Sequence, residues 1–150
     1  MSSATDVYQR LRKEQIEGSL KTKQVVVEKL SKWDLYETTD TVICVPLEKG
    51  FSIGYWKRHG RQFGCYFDLN TYGQTLYLLH LEIQQPFRGC GHGRALYHTI
   101  VEIALTLGCT EVRQTPSGKT VTGKTRAEYL QALGYTIKGF EAVKELGDRL

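Results

Sequence analysis

A chain of 150 residues is long enough to bury roughly two-thirds of its unfolded surface, so one domain over 1–150 is expected, a helical N-terminal segment (1–36) followed by a core (40–150). Hydrophobic residues at 41% and charged residues at 24% exclude the fibrous and disordered classes. Lys and Arg number 20 against 16 Asp and Glu, and the resulting +4 mildly favours an anionic ligand but is too small and too dispersed for a nucleic-acid partner.

From Thr5 to about Leu35, apolar residues recur at helical intervals (Val7, Leu11, Ile16, Leu20, Val26, Leu30, Trp33), which predicts two helices broken between Gly18 and Lys23. Their lysines and arginines read as a solvated face. The period then changes: TVICVPL, FSIGYWK, QFGCYFDL and TLYLLHLEI are short β-branched or aromatic runs separated by EKG, RHGR and NTYG, the pattern of an antiparallel meander. GHGRALYHTIVEIALTLG predicts a packed helix with Leu96, Ile100, Ile103 and Leu107 on one stripe and Gly108 placed to cap its end. A short strand TEVRQT, a loop PSGKTVTG, a helix KTRAEYLQALG and a last strand region YTIKGFEAVKEL follow. Strands and helices in this order predict α+β or mixed α/β architecture.

No run approaches the roughly 18 apolar residues of a membrane span, and MSSATDVYQRLRKEQ lacks the apolar core of a secretory signal, so no membrane partner and a cytoplasmic location are expected. Cys44, Cys65, Cys90 and Cys109 are scattered without a C-x-x-C pair, which argues for reduced thiols and against a zinc site or a disulfide framework.

Three glycines crowd into RGCGHG, between an apolar strand and an amphipathic helix. The dinucleotide fingerprint G-x-G-x-x-G fails there, because it would need glycine at Arg94 or at Leu96. GKTVTGKT, Gly118 to Thr125, satisfies the P-loop pattern letter for letter, with Lys124 and Thr125 in the phosphate and magnesium positions. The chain after Thr125 is too short for the further βαβ units and the metal-binding aspartate of a nucleotide hydrolase, so that stretch reads as a turn and a helix cap.

Arg88-Gly89-Cys90-Gly91-His92-Gly93 does fit a [QR]-x-x-G-x-[GA] loop joining a strand to a helix. Through this loop, its surroundings LHLEIQQPFRGCGHGRALYHTIVEIA and, more loosely, EYLQALGY, the chain resembles the GNAT acetyltransferase superfamily; the first 70 residues match only in broad pattern. The resemblance implies a GNAT-like fold, a central and mostly antiparallel twisted sheet flanked by helices, here with a helical N-terminal segment. It implies an acetyl-CoA-dependent N-acetyltransferase, without a metal, acting on a primary amine by direct attack in a ternary complex. The alternative is a non-catalytic protein of the same fold that binds acyl-CoA or serves as an interaction module.

Carried over residue by residue, the resemblance puts the cosubstrate's pyrophosphate against Arg88, Gly89, Cys90, Gly91, His92, Gly93 and Arg94. It puts the acyl carbonyl and pantetheine arm along the backbone of Leu81, Glu82, Ile83 and Gln84. Independent physics agrees for the loop: successive N–H groups at a helix N-terminus attract anions, and glycine lets phosphate oxygens come close. Cys90 and His92 are expected to point away from the diphosphate.

An amine must lose its proton to attack, and two titratable residues, His80 and Glu82, interrupt the apolar strand on one face. His80 is the preferred base because imidazole titrates near neutrality. Relatives commonly carry a tyrosine acid four residues before the glycine of LGY; Leu130 occupies that position here, and Tyr129 is the neighbouring candidate acid. The helices that come first in this chain imply a non-standard acceptor pocket. The C-terminal region looks short for two final strands, for which open edges or a homodimer partner would compensate.

Overall fold

The computed structural model describes residues 3–32, 41–59, 62–84, 91–116 and 125–147. The first helix, α1 (Ala4–Lys32), runs unbroken, which corrects the expectation of two helices. Gly18 lies mid-helix where a Cβ would stand 3.1 Å from the Phe51 ring, so its bareness permits close packing rather than ending the helix. The second half of α1 buries Ser19, Thr22, Val26 and Leu30, whereas Tyr8, Leu11 and Ile16 in its first half are exposed. Ser3 and Asp6 close the N-terminus reciprocally, Asp6 N–H donating to Ser3 Oγ at 3.1 Å and Ser3 N–H to Asp6 Oδ2 at 3.3 Å.

Strands β1 (Thr41–Leu47), β2 (Gly50–His59), β3 (Gln62–Tyr72) and β4 (Thr75–Ile83) form the expected antiparallel meander. At its first turn Gly50 is sterically required: a Cβ there would stand 1.9 Å from the Thr71 carbonyl oxygen. Backbone cannot yield as a flexible side chain can, so Gly50→Ala is expected to cost about 3 kcal/mol, in the range for overpacking. Urea denaturation with an unchanged midpoint would show that the strand ends relax freely.

Helix α2 (His92–Thr106) buries Leu96, Ile100 and Ile103 on the expected stripe, and Gly108, at φ 81°, follows its end. It delivers the chain to β5 (Glu111–Gln114), which pairs parallel to β4. Helix α3 (Arg126–Ala132) is capped by Thr125, whose hydroxyl accepts from the Glu128 N–H at 3.2 Å. That is the capping role expected for the end of the P-loop-like stretch; residues 117–124 lie outside the described residues. The C-terminal region divides into two strands, β6 (Thr136–Lys138) and β7 (Glu141–Glu145), turning at Gly139 with φ 64°, so the expectation of a truncated end is corrected.

One mixed, mostly antiparallel sheet of order β1-β2-β3-β4-β5-β7-β6 results. Its inner face contributes Ile53, Tyr55, Phe67, Leu69, Leu76 and Val112 to a single core with Val26 and Leu30 of α1, the α2 stripe and Leu130 of α3. Glu102 of α2 ties the helices together, receiving Lys32 Nζ at 3.0 Å and Lys29 Nζ at 3.9 Å. Among the described residues no helix is long and apolar enough to cross a membrane. Cys44, Cys65 and Cys109 form no disulfide among the described residues, and burial pushes Cys44 up to about 11, away from thiolate chemistry at neutral pH.

Candidate active site

The site is built where β4 loses a neighbour. β5 pairs with β4 only over Thr75–Leu78, while β3 continues alongside to Ile83. From Leu79 onward β4 therefore has no strand on its β5 side among the described residues. Gln84 N–H donates to the Gly64 carbonyl at 2.8 Å, which fixes the phase of the ladder. By the antiparallel alternation, the N–H and C=O of Leu81 and Ile83 are turned away from β3, toward the open side.

A bulge re-aims the side chains at the same point. Asp68 pairs with His80, and Leu69 pairs with Leu78, so Leu79 is the extra residue. Before it, Leu76 and Leu78 are buried on the inner face; without it, His80 and Glu82 would follow them inward. Instead Leu81 and Ile83 turn inward against the core, and His80 and Glu82 turn outward.

His80 and Glu82, read from sequence as alternatives, are one hydrogen-bonded unit. Glu82 Oε2 lies 3.3 Å from His80 Nε2 and accepts a 2.5 Å hydrogen bond from the Tyr66 hydroxyl across the strand pair. The Tyr66 ring stacks on the imidazole, centroids 5.1 Å apart at 21°. The hydrogen bond to Glu82, then burial, pushes the Tyr66 phenol up to about 12. Its proton is thus held more tightly in the folded chain than in the unfolded one, where about 10 is usual. The stability this adds is fully present below about pH 10 and is lost as pH rises through about 12.

Beyond the end of β4 stands the N-terminus of α2. Gly91 is its N-cap, at φ 83°, ψ 2°, with no side-chain cap. Gly93, in the first turn, faces Ile83 so closely that a Cβ would stand 3.3 Å from Cδ1. That contact sets the first-turn N–H groups, which have no partner within a helix, against the open end of β4. Of the predicted loop residues, Gly91, His92, Gly93 and Arg94 form the cap and first turn of α2, and Gly93 is brought against Ile83. Arg88, Gly89 and Cys90 lie outside the described residues.

Near the end of β5, Gln114, Tyr97 and Arg126, which the sequence did not single out, join Tyr129, which it did. Gln114, at the end of β5, is buried and donates from Nε2 to the Tyr97 hydroxyl at 3.4 Å. Its Oε1 has no partner among the described residues. Tyr129 packs on Tyr97, ring centroids 5.8 Å apart, with the Arg126 guanidinium 5.8 Å above its ring. Burial raises the Tyr129 phenol and keeps it protonated, with Arg126 and Arg94 acting in the opposite sense. Leu130 is fully buried in the core. A polar residue on the inward period of the run EVRQ was the available signal for Gln114; Arg126 and Tyr97 carried none.

The model of the acetyltransferase (GNAT) family matches residues 12–135. Among solved structures, the chain is similar to an IAA acetyltransferase from Bacillus cereus ATCC 14579, at 16% identity, covering 63% of this chain and 78% of that one, with a TM-score of 0.53. It is similar to a Bacillus subtilis acetyltransferase in complex with CoA, at 16% identity over 67% and 80% of the two chains, TM-score 0.52. It is also similar to the ribosomal-protein-S18-alanine N-acetyltransferase of Escherichia coli, at 8% identity over 65% and 71%, TM-score 0.56. Identities this low carry the fold and not the acceptor. The comparison with curated proteins gives no match.

Proposed function

The chain belongs to the GNAT acetyltransferase family, and on that premise we propose that it transfers an acetyl group from acetyl-CoA to a primary amine by direct attack within a ternary complex. The observation that carries this is β4, paired with β5 only over Thr75–Leu78 among the described residues, whose further length carries the His80–Glu82 pair and leads toward the N-terminus of α2 with its bare N-cap Gly91. Acetyl-CoA fits the residues present: an anion-attracting helix end with a bare Gly91, followed by a strand edge able to receive an elongated amide-containing arm.

The bound thioester supplies an activated acetyl carbonyl. The Leu81 N–H polarises that carbonyl, a stabilisation typically worth about 3 kcal/mol. His80 takes the proton that the amine loses as its C–N bond forms and the thioester C–S bond breaks. Glu82, held by Tyr66, orients the imidazole and offsets the charge it gains. Tyr129 gives a proton to the departing sulfur, while Arg94, Arg126 and the α2 N–H groups hold the diphosphate.

A second reading, acyl-CoA binding without transfer, is favoured by one observation: Leu130, at the position where relatives commonly carry a tyrosine, is sealed in the core. Thiol release from acetyl-CoA separates the two. Transfer requires release that depends on added amine and an acetylated product of matching amount; tight CoA binding with no amine-dependent release would leave the binding reading.

A further inference from the structure

The outer face of β1 to β4 is laid out as a graded surface that ends at the proposed base. Pairing registers set Ile43 opposite Gly54, Gly54 opposite Asp68 and Asp68 opposite His80, so these positions form one row across four strands on one face. The adjoining row carries Trp56, Tyr66 and Glu82. Gly54 has no side chain because the Trp56 indole lies over it: a Cβ there would stand 2.6 Å from Cη2. Farther out, Ile43, Val45 and Leu47 are 46%, 49% and 40% exposed on the same face. Anionic and titratable groups thus gather at one end of the surface (Asp68, His80, Glu82), and apolar groups occupy the other.

Resting on the acetyl-transfer reading, we propose that the acceptor is an amphipathic monoamine, its nitrogen held beside Asp68 and His80 and its aromatic or alkyl body lying over Trp56 toward Ile43. Charge complementarity selects the head group, because an ammonium gains from the Asp68 carboxylate before His80 removes its proton. The same carboxylates repel an acceptor that carries its own α-carboxylate. A second ammonium on the tail would displace the apolar contact with the exposed Ile43, Val45 and Leu47 side chains, where this face offers no described carboxylate to pair with it. Two strand spacings, about 10 Å, separate the Asp68 column from the Ile43 column, room for a body of arylethyl or hexyl size.

The test compares phenethylamine, hexylamine, spermidine and phenylalanine as acceptors. Phenethylamine and hexylamine are expected to show kcat/KM at least about 10-fold above the other two, in the range one apolar pocket contact commonly supplies. Trp56→Ala should lower kcat/KM for phenethylamine by about 10-fold or more, chiefly through KM, with CoA affinity unchanged. Ile43→Asp, at an exposed edge position where folding is not at risk, should act in the same direction. Binding is read separately from turnover: the chain has 2 tryptophans, so Trp33→Phe leaves the emission of Trp56 alone to report saturable phenethylamine binding. Preference for spermidine or phenylalanine, or no effect of Trp56→Ala and Ile43→Asp, overturns this acceptor class while leaving acetyl transfer intact. Saturable binding without turnover supports the amine site and overturns the transfer reading. Absence of both saturable binding and turnover with phenethylamine and hexylamine overturns the proposal.

Discussion

Gly91→Asp is expected to abolish CoA binding, weakening it by at least about 100-fold, equivalent to about 2.7 kcal/mol, while the protein remains folded. The two effects separate because the position is both a helix cap and a proposed anion contact. At φ 83° most side chains are strained, but Asp and Asn tolerate this region better than others, and among the described residues beyond its chain neighbours no atom lies within 4 Å of where the new Cβ would stand. A carboxylate at an N-cap also favours the helix. It would nonetheless stand where the diphosphate is proposed to sit, and two anions at one helix end repel. Gly91→Asn is the matched control, equal in shape and uncharged, and it should retain most of the affinity. The melting temperature provides the second readout: CoA should raise it in the wild type and in Gly91→Asn, and not in Gly91→Asp. Equal affinity in the Asp and Gly forms would move the cosubstrate away from α2.

His80→Ala is expected to lower kcat by about 100-fold or more and to leave CoA affinity near that of the wild type. The rise of rate with pH should flatten in the same variant, since a base that must be neutral to act sets that rise. Glu82→Gln provides the comparison. It preserves the shape but removes the charge that Tyr66 and His80 share, and so should cost less, about 10-fold, by loosening the orientation of the ring. A large loss at Glu82 with little at His80 would reverse the two roles. Little loss at either would assign proton removal to water.

What the sequence disclosed and what it withheld divide along contact order. The meander and α2 were legible because their signals are local: two-residue alternation in TLYLLHLEI, a helical stripe from Leu96 to Ile103, and a cap at Gly108. The bare entry to α2 at Gly91 and Gly93 was legible for the same reason, while Arg88, Gly89 and Cys90 lie outside the described residues. Gly18 was misread because a glycine in a helical pattern is ordinarily a weak point, and the ring it accommodates, Phe51, is far along the chain. Tyr66 went unnoticed because only the β3–β4 register sets it opposite Glu82. Tyr97 and Gln114 are likewise unremarkable residues of their own segments, and Tyr97 meets Gln114 of β5 and Tyr129 of α3 only because the fold brings these elements to one place.

The half-paired β4 has a consequence for the lifetimes of its own hydrogen bonds. Leu76 and Leu78 lie between two neighbouring strands and are buried on the inner face, so their amides open only when much of the sheet opens with them. Past the bulge β3 is the one strand paired with it among the described residues, and the Leu81 amide is aimed away from β3. Past Leu79 the His80 and Glu82 amides face β3, and the Leu81 amide is expected to exchange faster than that of Leu76. A cosubstrate arm laid along this edge would act there as an added edge strand, and deuterium uptake at Leu81 would slow while that at Leu76 stayed as it was.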